Sequence, residues 1–154
     1  MAFDANNLLT GVTGPLKSLG RFDRVIAGEP AVIPTARLCA VTLVDVATAP
    51  GMSGLAVAAL RVEFKIEFFL PLVSGDVASA TVEAEALSVG ALVMGALIGQ
   101  FGVRAGLGYH VDLLGAHGTR LNCRYGYASV DGAMFRLGTV TMPVIVADAF
   151  DQAE

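Results

Sequence analysis

The nearest approach to a reactive set in this sequence is His110-Val111-Asp112, with His117 in the segment that follows. On an extended strand His110 and Asp112 share a face, so the carboxylate would orient the imidazole as a base. With His117 the pair would also begin a metal site. Both kinds of chemistry need more than this: zinc takes three or more converging protein ligands, and a base needs a nucleophile to act on. Neither cysteine, Cys39 or Cys123, has a base or ligand near it in sequence, and each sits in an apolar run. That setting suits two buried thiols in a reducing compartment better than a disulfide framework. Gly106-Leu107-Gly108 precedes a strand-like run and lacks both the lysine and the glycine spacing of a phosphate loop. Asp148, Asp151 and Glu154 are too few oxygens for calcium and read as a solvated terminus. These residues imply no catalytic group, no metal and no cofactor, so the chain reads as something other than an enzyme.

A second kind of pattern is physical rather than reactive. Val62, Phe64, Ile66 and Phe68 alternate with Arg61, Glu63, Lys65 and Glu67. A period of two sends the first set into a core and the second to a charged face. That face is either solvated or a subunit contact, in which opposite charges fix register and reject wrong partners. Arg61, Glu63, Lys65 and Glu67 are therefore the candidate interface residues.

The elements that must position these groups follow from periodicity and turn chemistry. Leu8, Leu9, Val12, Leu16 and Leu19 share a helical face after a cap at Asp4, with Gly14-Pro15 expected to break or restart the helix. A short run from Phe22 to Ala27 closes at Gly28-Glu29-Pro30 and leads through a linker to Pro34. Leu38 to Thr48 and the charged-face run ending at Pro71 are expected to pair as a long β-hairpin, with a flexible tip at Pro50 to Gly54. Asp76 then caps a helix to about Gly99, with Glu83 and Glu85 in its early turns. Strands are expected at Tyr109 to Leu114, Leu121 to Val130 and Met134 to Thr141. Asp131-Gly132 forms the tight turn between the last two, and Pro143 stands at a strand end or edge. The fold class is α+β, a mostly antiparallel sheet with two main flanking helices, and residues 1–154 are expected to form a single domain.

Composition narrows the partners. With 154 residues, 55% of them apolar and 16% charged, the chain buries a real core and still leaves an unusually apolar surface, which seeks a partner. The net charge is −4 with no basic cluster, which argues against a grip on nucleic acid. The amino end lacks the basic and apolar regions of a secretory signal. Ala86 to Val103 carries no charge and is just long enough for a short membrane span. Gly90, Gly95, Gly99 and Gly102 dilute it and no basic flank orients it, so burial between a sheet and another subunit is the better account.

Several ordered segments together resemble the tail terminator proteins of long-tailed, siphovirus-type phages that infect actinobacteria. They are Leu19 to Val25 with Glu29-Pro30, Ser53-Gly54-Leu55 with Arg61-Val62-Glu63-Phe64, Val111 to Gly118, Gly126-Tyr127, and Met142 to Val146 with Asp148. The resemblance spans almost the whole chain and rests on order and spacing, since each segment alone is a generic turn or strand. The uncharged, glycine-rich helix departs from the family's pattern. What the resemblance implies is a virion structural protein without cofactor, a homo-oligomer closing as a hexameric ring on the head-proximal end of the tail tube. The ring would end tube growth and offer the head-joining surface, with the tail tube protein and a head–tail connector as partners. DNA would pass through its bore unbound, and assembly would take place in the host cytoplasm. Three other readings stand beside it: another connector or tube component, a small membrane-associated protein using Ala86 to Val103, and an enzyme dependent on His110 and Asp112.

Overall fold

The computed structural model describes residues 4–30, 37–49, 57–72, 79–103, 109–130 and 132–151. Helix α1 (Ala5–Ser18) begins where Asp4 caps it, its carboxylate accepting from the Asn7 amide at 3.0 Å. The helix runs through Pro15 unbroken, where the sequence suggested a kink. Pro15 stands in the last turn and forgoes a single amide bond, while Ser18 Oγ donates to the Gly14 carbonyl at 3.1 Å. Helix α2 (Ser79–Val103) extends one turn past the expected end, and Asp76, its expected cap, lies outside the described residues.

Among the described residues six strands form one mixed sheet: β1 (Arg24–Ala27), β2 (Leu38–Thr48), β3 (Val57–Pro71), β4 (Tyr109–Val111), β5 (Asn122–Val130) and β6 (Ala133–Asp151). The order is β1-β2-β3-β6, and β4 and β5 lie end to end along the far side of β6. β1 runs parallel to β2, and every other pair is antiparallel. The α+β class and the mostly antiparallel sheet agree with the sequence reading. The Pro50 to Gly54 tip lies outside the described residues. At the other turn Asp131 also lies outside them, while Gly132 takes φ 82° and Val130 pairs with Ala133.

Two strands depart from their expected lengths. β4 ends at Val111 because Asp112 turns into a loop. β6 continues through Pro143, which is fully buried in the middle of the sheet rather than at a strand end. The Pro143 carbonyl accepts from the Asp112 amide at 2.9 Å, so it points to the side where β4 stops and β5 has not begun. The missing proline N–H points the same way, into that gap, and no ladder bond to β3 is lost.

The core lies between the sheet and the two helices. Leu8, Val12 and Leu16 of α1 and Val89, Val93 and Leu97 of α2 pack with Val62, Phe64, Ile66 and Phe68 of β3 and Val140, Met142 and Val144 of β6. α1 lies toward β1 and β2, whereas α2 lies over β4, β5 and β6. A smaller cluster of Leu38, Ala40, Phe69 and Phe135 sits on the opposite sheet face. Glycine permits three close approaches in the main core. A Cβ at Gly11 would overlap Tyr109, one at Gly90 would overlap Tyr125, and one at Gly138 would overlap the Phe68 ring.

Candidate functional site

Of the residues first considered for chemistry, Asp112 shapes a loop. Asp112 is buried, and its two carboxylate oxygens accept from the amides of Ala116 and His117, each at 2.9 Å. Burial pushes the Asp112 carboxyl up. The His117 and Ala116 amides, with the nearby charges of His117 and Arg61, outweigh burial and hold the carboxyl below its ordinary value. It is a staple for the loop at 112–120. His110, in β4, is exposed. No group of three His, Cys, Asp or Glu side chains converges among the described residues.

Both cysteines are free thiols. Burial pushes the Cys39 thiol up to about 12, which leaves it inert as a nucleophile near neutral pH. Cys123 is also raised by burial, with Tyr125 acting against the shift. Tyr125 is pushed up to about 12 by burial, aided by Cys123, and its hydroxyl donates to the Ala86 carbonyl at 3.1 Å across the space left by Gly90. That bond ties β5 to α2. Arg136 makes a second tie, pairing with Glu83 at 2.9 Å while its guanidinium lies 4.5 Å from the centre of the Tyr127 ring. Gly106 to Gly108 lies outside the described residues, as do Glu154 and the side chains of Asp148 and Asp151.

The charged face of β3 points away from the helices, as its period requires, but it is not an open surface. Arg61 is 7% exposed. Its Nη1 donates to Glu63 at 2.9 Å and its Nη2 to the Thr119 carbonyl at 2.9 Å. The guanidinium also fits against Gly118, where an added Cβ would come within 2.8 Å of Cζ. Lys65 bridges Glu29 at 3.3 Å and Glu67 at 3.4 Å. Burial lowers the Lys65 pKa, and the Glu67 and Glu29 carboxylates outweigh that and raise it. All four ladder residues are thus paired within the subunit. Arg61 and Asp112 together clamp the 112–120 loop onto the sheet, a link that spacing in the sequence does not reveal.

Two stretches of the domain's surface are mainly apolar. On the flank nearest β1 and β2, an open cleft of about 340 Å³ is lined by Leu8, Leu9, Val41, Leu43, Val46 and Phe64. β1 pairs only with Leu38 to Val41, so the outer edge of β2 beyond it has no partner strand among the described residues. Leu43, Val44 and Val46 of that segment are each about half exposed. On the other flank, Leu114 at the tip of the clamped loop is 91% exposed. Beside it, Leu87, Ala91 and Met94 of α2 line a second groove together with Leu113 and Arg120. From Thr81 to Ile98, α2 has a mean hydropathy of 1.6 with only 28% of that window buried, so the helix is long and apolar enough to cross a membrane. Its buried side is committed to the sheet core, and Glu83 and Glu85 are anchored to Arg136 and Arg37. Sequence reasoning missed the Leu113-Leu114 tip. The available signal was two adjacent leucines directly before Gly115.

Compared with known proteins, the chain matches no family model and no curated protein sequence.

Proposed function

We propose that this chain is a virion structural protein whose copies join head to tail in a ring, hexameric by the resemblance, that caps the head-proximal end of a phage tail tube. The observation that carries the reading is the pair of different, mainly apolar surfaces on opposite flanks of one sheet. A closed ring needs two complementary, non-identical faces per subunit, and large exposed apolar patches mark sites of protein contact. A second support is that two segments of the resemblance meet in space. Val111 to Gly118 runs from β4 into the loop that packs against Arg61.

In this reading β2 and β3 are the arms of a long hairpin directed at the tube or the head, and the acidic balance of the chain keeps passing DNA from adhering. The partners are the tail tube protein and a head–tail connector. Lys65 and Glu67 remain candidate contacts within the ring, whereas Arg61 and Glu63 serve the subunit's own loop. The test is deletion of the gene from the phage, with the lysate viewed by electron microscopy. The expected outcome is filled, unjoined capsids beside tails of abnormal length. Normal-length tails attached to heads would end the proposal, and normal-length unattached tails would make the chain a connector instead.

A specific observation favours one other reading: the apolar α2, with only 28% of its apolar window buried, would also suit a membrane surface. Retention of the protein in the membrane pellet after alkaline extraction is the outcome that would support it.

A further inference from the structure

The two apolar flanks also show how one copy would meet the next. The free half of β2, Leu43 to Thr48, lies across from residues 60–64 of β3, which lie across from residues 142–146 of β6. Beyond them stands β4, paired with residues 144–146, and the clamped loop follows directly. The open edge and the loop tip therefore stand at the same height on opposite sides of the sheet. Rotation about an axis along the strands keeps that height, and so brings the loop tip of one copy against the open edge of its neighbour.

The two features match in kind. Leu113 and Leu114 form a projecting apolar knob, and the cleft beside Leu43, Val46 and Phe64 is concave and apolar, with room for a pair of four-carbon side chains. Each flank also carries an exposed charge with no ion-pair partner among the described residues, and the signs are opposite: Asp45 is the sole charged residue of β2, and Arg120 stands on the knob flank. The knob needs no ordering on contact, because Arg61 holds Thr119 and Asp112 holds the Ala116 and His117 amides.

We infer that a second copy of this chain inserts its Leu113-Leu114 knob into the cleft beside the free half of β2, with Arg120 facing Asp45 across the junction. The contact is heterologous, so it propagates to a ring rather than stopping at a dimer. This inference rests on the ring reading and assigns its joining surface.

The test uses the purified full chain, with mass measured by light scattering and native mass spectrometry. Wild type is expected to form closed oligomers of one size. Leu114→Asp, at a fully exposed position, and Leu43→Asp, at the cleft, are each expected to remain monomeric with unfolding transitions like that of wild type. Should Leu43→Asp fail to fold, Asp45→Arg takes its place, with rescue by Arg120→Asp in the same chain. The decisive step is mixing. A knob-dead and a cleft-dead variant retain one good junction between them and are expected to give a dimer and nothing larger. Oligomers from Leu114→Asp indistinguishable from wild type would overturn this surface and leave the ring intact. No association on mixing would likewise overturn it. A wild-type chain that stays monomeric at every concentration would overturn self-association through this junction, and the phage deletion would judge the tail function separately.

Discussion

Truncation of Arg61 to alanine is the perturbation whose size follows most directly from the structure. The guanidinium donates to Glu63 and to the Thr119 carbonyl, both at 2.9 Å, with the Arg61 and Glu63 side chains 8% and 19% exposed. Hydrogen bonds involving a charged group contribute about 1.5–3 kcal/mol each, and orphaning one member of a buried pair costs about 3–5 kcal/mol. Two observations lower the figure: Glu63 keeps some water, and the Arg61 Nε is already buried without a partner. The expected destabilisation is about 2–4 kcal/mol. For a chain of this size that is a fall in Tm of roughly 5–12 °C. Urea unfolding followed by circular dichroism, with calorimetry for Tm, measures it. The double variant Arg61→Ala with Glu63→Gln leaves no lone carboxylate, so it should recover part of the loss, with a coupling of about 1–2 kcal/mol. A loss below about 0.5 kcal/mol for Arg61→Ala, the level of an exposed ion pair, would refute the reasoning and return the charged face to solvent.

Two further outcomes test the packing and the loop. Gly138→Ala drives a Cβ into the ring of the fully buried Phe68 inside a paired strand. It should therefore lower the urea midpoint by an amount equivalent to about 3 kcal/mol, partly restored by Phe68→Leu; an unchanged midpoint would contradict the close approach. The Asp112 carboxyl is held below its ordinary value of 3.8 in the folded chain. Its contribution is therefore present above that value and is lost as pH falls through the lowered folded pKa. Asp112→Asn should be less stable than wild type at neutral pH, with the gap closing toward about pH 2 in urea titrations, and a gap independent of pH would remove the carboxylate from the argument.

Much of the fold was legible because its causes are local. The alternation from Arg61 to Phe68 dictated a strand with one face in the core, and Asp4 dictated a helix start. Gly132 had the freedom its turn required. The misreadings arose where a distant neighbour changes what a residue costs. Pro143 reads as a strand terminator until β4 and β5 are seen to leave a gap beside it, and Pro15 reads as a helix breaker although only the final turn loses a bond. The candidate site was half visible. Arg61, Glu63, Lys65 and Glu67 were found as a charged face, but their partners Thr119 and Glu29 lie far away in sequence. Asp112 looked like a catalytic neighbour of histidine because spacing cannot show that backbone amides already occupy its oxygens.

By itself the sequence determined the class of the molecule: an apolar, weakly acidic α+β chain with alternating strands and flanking helices. Those properties follow from side-chain period and composition, which act over a few residues or over the chain as a sum. Tertiary structure alone decided which surfaces remain to be used. Pairing matched the conspicuous charges within the subunit and clamped a loop that carries Leu114 into solvent, and a short β1 left half of β2 without a partner strand among the described residues. Exposure is the remainder after every long-range contact has formed, so no local pattern contains it.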